Sequence, residues 1–283
     1  MRRGNGAGPG PLRLALILAG MGLMLAPAVW NGYPLLFFDT ADYIAVAFGE
    51  DLPVYRTAAY ALFLTPARWT GTLWTPVVIQ AAMIATLLML AAERLLGRGW
   101  GAGRGIALLV AAGIGLLPLY TAQAMADGFT LPLLLAAVAL MLPAVQGGTA
   151  EGEAGGRIAG LVLILLLAVA AALHTSHLGL LAGLLILGVM IVAVGRWRPS
   201  LPRPRLGGPA LALGLGIALA AGANHATTGR IFVSQPAVVQ TLALFVQNGL
   251  AARYLDDICP TDPDPPALCP YRDRLPETAN EFL

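Results

Sequence analysis

Seven apolar stretches, each long enough or nearly long enough to cross a lipid bilayer, decide what this chain can become. Crossing hydrocarbon takes about 20 apolar residues per helix, and a helix satisfies its own backbone there. The stretches are 12–30, 74–95, 105–120, 129–145, 158–174, 178–194 and 208–223. Only 11% of the 283 residues are charged and 58% are hydrophobic, with a mean hydropathy of +0.75. Soluble domains carry about 25% charged residues. The expected fold is therefore an all-α integral membrane bundle of about seven transmembrane helices. Gly and Ala recur through all seven stretches, which suits close helix packing. The basic start MRRGNGAGPGPLR is followed by about 18 apolar residues without an A-x-A cleavage site, so it reads as a retained first span.

Arginine counts in the short loops set the expected orientation. With the N-terminus cytoplasmic, the inner side receives Arg2, Arg3, Arg13, Arg94, Arg98, Arg104, Arg157, Arg196, Arg198, Arg203 and Arg205, and the short outer loops hold only Arg56 and Arg68. Eleven against two places the C-terminal segment outside. All seventeen basic residues are Arg, which with the Ala, Gly, Leu and Pro excess reads as a high-GC bacterial genome. The inner connections GRGWGAGRG, GGTAEGEAGGR and GRWRPSLPRPRL read as solvated turns. None follows a strand, which excludes a nucleotide-binding loop. A net charge of +2 gives no reason to expect nucleic acid.

The chain divides into a seven-span module, 1–223, with a first outer loop at 31–73, and an outer segment, 224–283. The first loop holds four of the fifteen acidic residues, Asp39, Asp42, Glu50 and Asp51. Such polar chemistry beside a membrane boundary costs free energy unless something pairs or uses it. Residues 57–70 read as an interfacial helix lying along the membrane surface. In the outer segment, 235–257 is spaced for an amphipathic helix, and the Pro- and Asp-rich run after it is not helical for most of its length. Cys259 and Cys269, the only cysteines, read as a loop-closing disulfide in an oxidising compartment, with two free thiols as the alternative. The chain ends without a polar tail or final helix, which is compatible with a piece of something longer.

The candidate site residues lie on the outer side. Asp39 and Asp42, at i, i+3, put two carboxylates on one face if the segment is helical, where a carboxylate can take a proton from a hydroxyl. The plainer reading of Asp39 is a helix N-cap. Arg56, flanked by Tyr55 and Tyr60, suits a phosphate, an ion pair with Asp51 or an interfacial anchor. Asp127 either contacts a cation, sugar hydroxyl or Arg56, or caps the fourth span. His174 and His177, again i, i+3, suit phosphate or substrate contact. No third ligand completes a metal site, and a hydrogen-bonded helix end is the bland alternative. His225 merely follows the seventh span.

FFDTADY in the first loop, PVYRTAAYALFL after it, MADGFTLPLLL at the fourth span and HTSHLGLL between the fifth and sixth carry a resemblance. With the topology, they resemble the C-type glycosyltransferase superfamily, polytopic enzymes that use polyprenyl-phosphate-linked sugars. The resemblance implies inverting sugar transfer from a polyprenyl-phosphate donor to a glycan or lipid acceptor, at the outer face of a bacterial inner membrane. Asp39, or else Asp42, would be the catalytic acid. Arg56, Tyr43, Tyr60, Asp127, His174 and His177 would contact donor or acceptor. No cofactor is implied, with a divalent cation left open. Two other functions fit the same sequence: a transporter or flippase for a lipid-linked or anionic solute, and a non-catalytic membrane subunit.

Overall fold

A computed structural model of the chain describes residues 9–96, 102–143, 150–196, 198 and 203–282. The bundle begins with α1 (Pro9–Asn31). A loop follows that carries α2 (Thr40–Ala47), α3 (Ala58–Leu64) and α4 (Pro66–Thr70). The chain returns through α5 (Trp74–Leu96), then α6 (Ala102–Ile114), α7 (Leu117–Ala122), a 3-10 turn at Ala126–Phe129, and α8 (Thr130–Met141). Three long helices complete the bundle: α9 (Ala150–Leu173), α10 (Thr175–Gly195) and α11 (Gly207–Thr228). A C-terminal unit adds α12 (Pro236–Gln247), α13 (Leu250–Ile258), a 3-10 turn at Cys269–Arg274 and α14 (Ala279–Phe282). Among the described residues every regular element is a helix, joined by turns and loops, and extended pairing is confined to an isolated bridge between Leu35 and Gln123.

Five of these helices are long and apolar enough to cross a membrane: α1, α5, α10 and α11, with α9 from Gly156. The stretch 105–120 is not one helix, because it breaks between α6 and α7. Pro118 sits at the start of α7, where it can neither donate to residue 114 nor tolerate that carbonyl. The stretch 129–145 yields only the 12 helical residues of α8 behind its 3-10 turn. The structure thus shows five candidate spans and two shorter interrupted segments where the sequence pattern predicts seven.

Burial is uneven in a way that identifies the solvent. α5 lies at the centre, with 61% of its apolar window inside the bundle, while α1, α10 and α11 have 17%, 22% and 22%. The outward faces carry Leu18, Ile106, Ile114, Leu161, Ile186, Met190 and Leu211, all more than half exposed. A water-soluble bundle would present polar residues there. Hydrocarbon is the matching environment, and the chain is built as a membrane protein.

Helix packing fixes which ends lie together. The α9–α11 packing is the most extensive, and Gly216 lets the helices approach: a Cβ there would meet Ala168 O and the Ala171 Cβ, each at 3.1 Å. At one end of the bundle Arg13 pairs with Glu93, joining α1 to α5. Nearby, the Arg94 Nε donates to Ala139 O and the Arg205 backbone N to Met141 O. The loop elements α2, α3 and α4 occupy the opposite end.

Three expectations for the connections change. Residues 57–70 do not form a helix lying on the surface. They break at Thr65–Pro66, and Ala58, Tyr60, Ala61 and Leu64 are fully buried against α2, α9 and α11. Small residues on α3 let it wedge between helices. The amphipathic helix expected at 235–257 is two helices, because Gly249 adopts φ +70° and turns the chain. Residues 150–157, expected within a solvated turn, already belong to α9. The remainder of that connection, 144–149, and the turn residues 97–101, 197 and 199–202 lie outside the described residues.

Cys259 and Cys269 are disulfide-bonded, so the expected pairing holds and the two-free-thiol alternative does not. The bond closes a ten-residue loop that α13 opens and the second 3-10 turn ends, and Arg272 grips Asp256 bidentately across it at 2.6 and 2.8 Å. Closing a loop this short stabilises by about 3 kcal/mol in the chain-entropy model. Cys259→Ser is accordingly expected to lower the melting point of the C-terminal unit by several degrees, while helix content of the bundle is unchanged. Circular dichroism melts with and without reductant check it.

Candidate functional site

The first loop is held against the bundle by backbone pairing. Leu35 N donates to Ala122 O, and Leu35 O accepts from Ala124 N, both at 2.9 Å. Thr40, almost fully buried, accepts from Phe37 N and donates to Ala124 O. Behind this strap the Tyr60 hydroxyl donates to Gln80 Oε1 at 2.8 Å, and Gln80 Nε2 donates to the carbonyls of Thr121 and Gln123. A lone glutamine inside a span thus secures both loop segments that carry candidate acids.

Asp39 ends the strap as the residue preceding α2, and Asp42 lies in the first turn of that helix. Asp39 makes no capping hydrogen bond; its carboxylate faces Arg56 instead. Arg56 comes from the turn before α3 and bridges both acids, through Nη2 to Asp39 and through Nε to Asp42 at 2.8 Å. Asp51 is not its partner. The guanidinium also lies 5.6 Å from the Tyr43 ring centre and 5.2 Å from that of Tyr55. Its side chain is 13% exposed, and those of Asp39 and Asp42 are 29% and 27%. Two carboxylates against one guanidinium leave the trio with an excess negative charge and roughly a quarter of each acid open to solvent.

The trio shifts its neighbours. Burial alone would lower the Arg56 pKa, but the hydrogen bonds it donates to both carboxylates outweigh that and raise the value. Burial pushes the Tyr43 hydroxyl up to about 12, with Arg56 opposing and Asp39 and Asp127 reinforcing. The fold favours the neutral phenol, whereas an unfolded tyrosine ionises near 10. Tyr43's contribution to stability is therefore intact below pH 10 and is lost as pH rises through about 12. The phenolate absorbance of the parent minus that of Tyr43→Phe is expected to show one tyrosine titrating near 12.

Asp127 sits half-buried in the 3-10 turn before α8, acting electrostatically on Tyr43 and Tyr60. Its side chain caps no helix, and among the described residues it has no hydrogen-bonding or ionic partner. Of the candidate acids it is the one with its carboxylate oxygens uncommitted.

The histidines separate. His177 is fully buried, with Nε2 at 2.9 Å from Thr130 Oγ1 and Nδ1 at 2.9 Å from Ala170 O. Both ring nitrogens are occupied, so it serves the α8–α9–α10 junction and has no nitrogen left for a ligand. His174 is the N-cap of α10: Nδ1 accepts from Ser176 N and lies 2.6 Å from Ser176 Oγ, while Nε2 has no partner among the described residues. His225 is exposed on α11. Tyr60 is fully buried and committed to Gln80, and Tyr43 is buried beside Arg56. Among the described residues no three His, Cys, Asp or Glu side chains converge as a metal site.

One residue with no evident role in the sequence links the loop to the rest. Asn224, fully buried near the end of α11, accepts from Ala58 N at 2.9 Å and donates to the carbonyls of Phe232 and Val233 at 2.8 and 3.3 Å. It ties the start of α3, two residues beyond Arg56, to the root of the C-terminal unit. The available signal was an amide at the end of an apolar stretch, where a polar group costs free energy unless it is partnered.

Comparison with protein families, curated proteins and solved structures gives no match.

Proposed function

We propose that the chain is a membrane glycosyltransferase whose chemistry occurs at the bundle end carrying α2 and α3. The observation that supports it most directly is the convergence of Asp39, Asp42 and Arg56 from two loop segments into one partly open cluster, with Asp127 acting on the same Tyr43. In this reading a sugar passes from a polyprenyl-phosphate donor to a glycan or lipid hydroxyl with inversion. Asp39 or Asp42 takes the acceptor proton as the oxygen attacks the anomeric carbon. Arg56 holds the two acids in place through its fork. In this reading Arg56 Nη1 and His174 Nε2, which have no partner among the described residues, donate to the departing lipid phosphate, where charge develops.

The topology belongs to the same proposal: seven crossings, two of them interrupted, with the N-terminus cytoplasmic. The arginine distribution supports it, since Arg13, Arg94 and Arg205 all lie at the end away from the acid cluster. The disulfide supports it independently, because such bonds persist in an oxidising compartment such as the periplasm.

A second reading rests on the same ion pairs. If Arg56 serves only to staple α2 to α3, the chain is a non-catalytic membrane subunit. A transfer assay with a panel of radiolabelled polyprenyl-phosphate sugars distinguishes them, comparing the parent with Asp39→Asn and Asp42→Asn. Parent activity that falls by about a hundredfold or more in one variant, the low end for loss of a general base, is the expected result. Parent protein inert with every donor would sink the enzyme reading, and equal activity in all three would refute these roles for the acids.

A further inference from the structure

The C-terminal unit contains a half-open cleft of about 440 Å³ that the site above does not use. Leu242 and Phe245 of α12, Leu250, Tyr254 and Leu255 of α13, and Leu268 inside the disulfide loop line it. The Gly249 turn sets the two helices against each other, and the Cys259–Cys269 bond holds the loop with Leu268 across one side. Its exposed lining is almost wholly apolar, so it offers no group to orient a sugar, a phosphate or an extended peptide backbone. Leu250 and Tyr254 are half-exposed at it, leaving it accessible.

Its position selects the occupant. α11, a helix long enough to cross the bilayer, ends at Thr228, and α12 begins at Pro236. Asn224 clamps Phe232 and Val233 back onto α11, so only residues 234 and 235 separate the clamp from α12. Extended chain spans at most about 3.6 Å per residue, which keeps the unit at the lipid headgroups. The exposed aromatics Trp30, Phe38 and Trp69 mark that level on the bundle. Hydrocarbon within reach there belongs to the surrounding bilayer. We propose that this cleft binds one acyl chain of a bilayer phospholipid, drawn out of the outer leaflet. This takes the leaflet from the topology proposed above and does not depend on the catalytic roles.

The test uses the full chain in vesicles of phosphatidylethanolamine and phosphatidylglycerol, doped with a phospholipid bearing a diazirine at the end of one acyl chain. After irradiation, adducts are mapped by peptide mass spectrometry. Labelling concentrated in 242–255 and 266–268, severalfold above Ile231 and Val238, supports the proposal. Both reference residues are highly exposed and lie outside the cleft. Leu250→Asp puts a carboxylate at the mouth and is expected to cut that labelling about tenfold or more, given the cost of placing a charge against an apolar chain. Ala251→Trp fills the cleft and is expected to act likewise, with the absence of reactive thiols confirming that the disulfide loop still forms in both variants. Labelling equal at Val238 and the cleft, or indifferent to both substitutions, overturns the proposal in favour of simple contact with the surface. Displacement of the acyl probe by added polyprenyl phosphate overturns the phospholipid assignment in favour of an isoprenoid chain.

Discussion

Arg56→Ala is expected to destabilise the protein by about 2–3 kcal/mol and to loosen α2 from the bundle. Removing one partner of a fully buried ion pair costs about 3–5 kcal/mol, because it strands an uncompensated charge. Here the acids are roughly a quarter exposed, so water screens part of that cost. Arg56→Lys keeps the charge but cannot span two carboxylates with a fork, and it should fall between. Adding Asp39→Asn and Asp42→Asn to Arg56→Ala should recover much of the loss, since the stranded charges go with it. Thermal unfolding in detergent reads all four proteins. If Arg56→Ala melts with the parent, the trio does not organise this end of the bundle.

Asn224→Ala carries the other large effect. It leaves Ala58 N–H, deep in the structure, without its acceptor, and releases the carbonyls of Phe232 and Val233. An unsatisfied buried polar group costs about 1–3 kcal/mol, so a total of about 2–4 kcal/mol is expected. The local consequence is more specific than the melting point. The linker 229–235 should become a preferred site of limited proteolysis, releasing the disulfide-bonded unit from the bundle. Asn224→Asp keeps an acceptor for Ala58 N–H but cannot donate, so it should free the linker with less damage to α3. Identical cleavage patterns in parent and both variants would show that the clamp holds nothing.

Much of the fold is written in hydropathy. Apolar run length located α1, α5, α9, α10 and α11, because a helix that faces hydrocarbon must be apolar nearly all round. It did not show that 105–120 and 129–145 are interrupted, because mean hydropathy is blind to one proline and to a 3-10 turn. The surface position expected for 57–70 failed for a different reason. Alanines and a tyrosine whose hydroxyl has a buried partner suit a helix interior as well as an interface, and only tertiary packing chooses. At the site, the sequence picked Asp39, Asp42 and Arg56 individually. For an ion pair of the arginine it offered Asp51, which is nearer in sequence, beside a phosphate or an interfacial role, whereas one turn of α2 brings Asp42 round to the same guanidinium. His174 and His177 look alike three residues apart, yet one begins a helix and the other faces inward from its first turn. Burial, which spacing does not encode, separates them.

The exposed aromatics around the loop end carry a mechanical consequence. Trp30 is 94% exposed, Phe38 87% and Trp69 78%, at the end of α1, just before α2 and in α4. Indole and phenyl rings settle at the boundary between acyl chains and headgroups and resist moving either up or down. Such a collar fixes the height at which the bundle floats. A thinner or thicker bilayer must then be met by tilting or by local deformation of the lipid, because sliding the bundle along the normal would pull these rings out of the boundary.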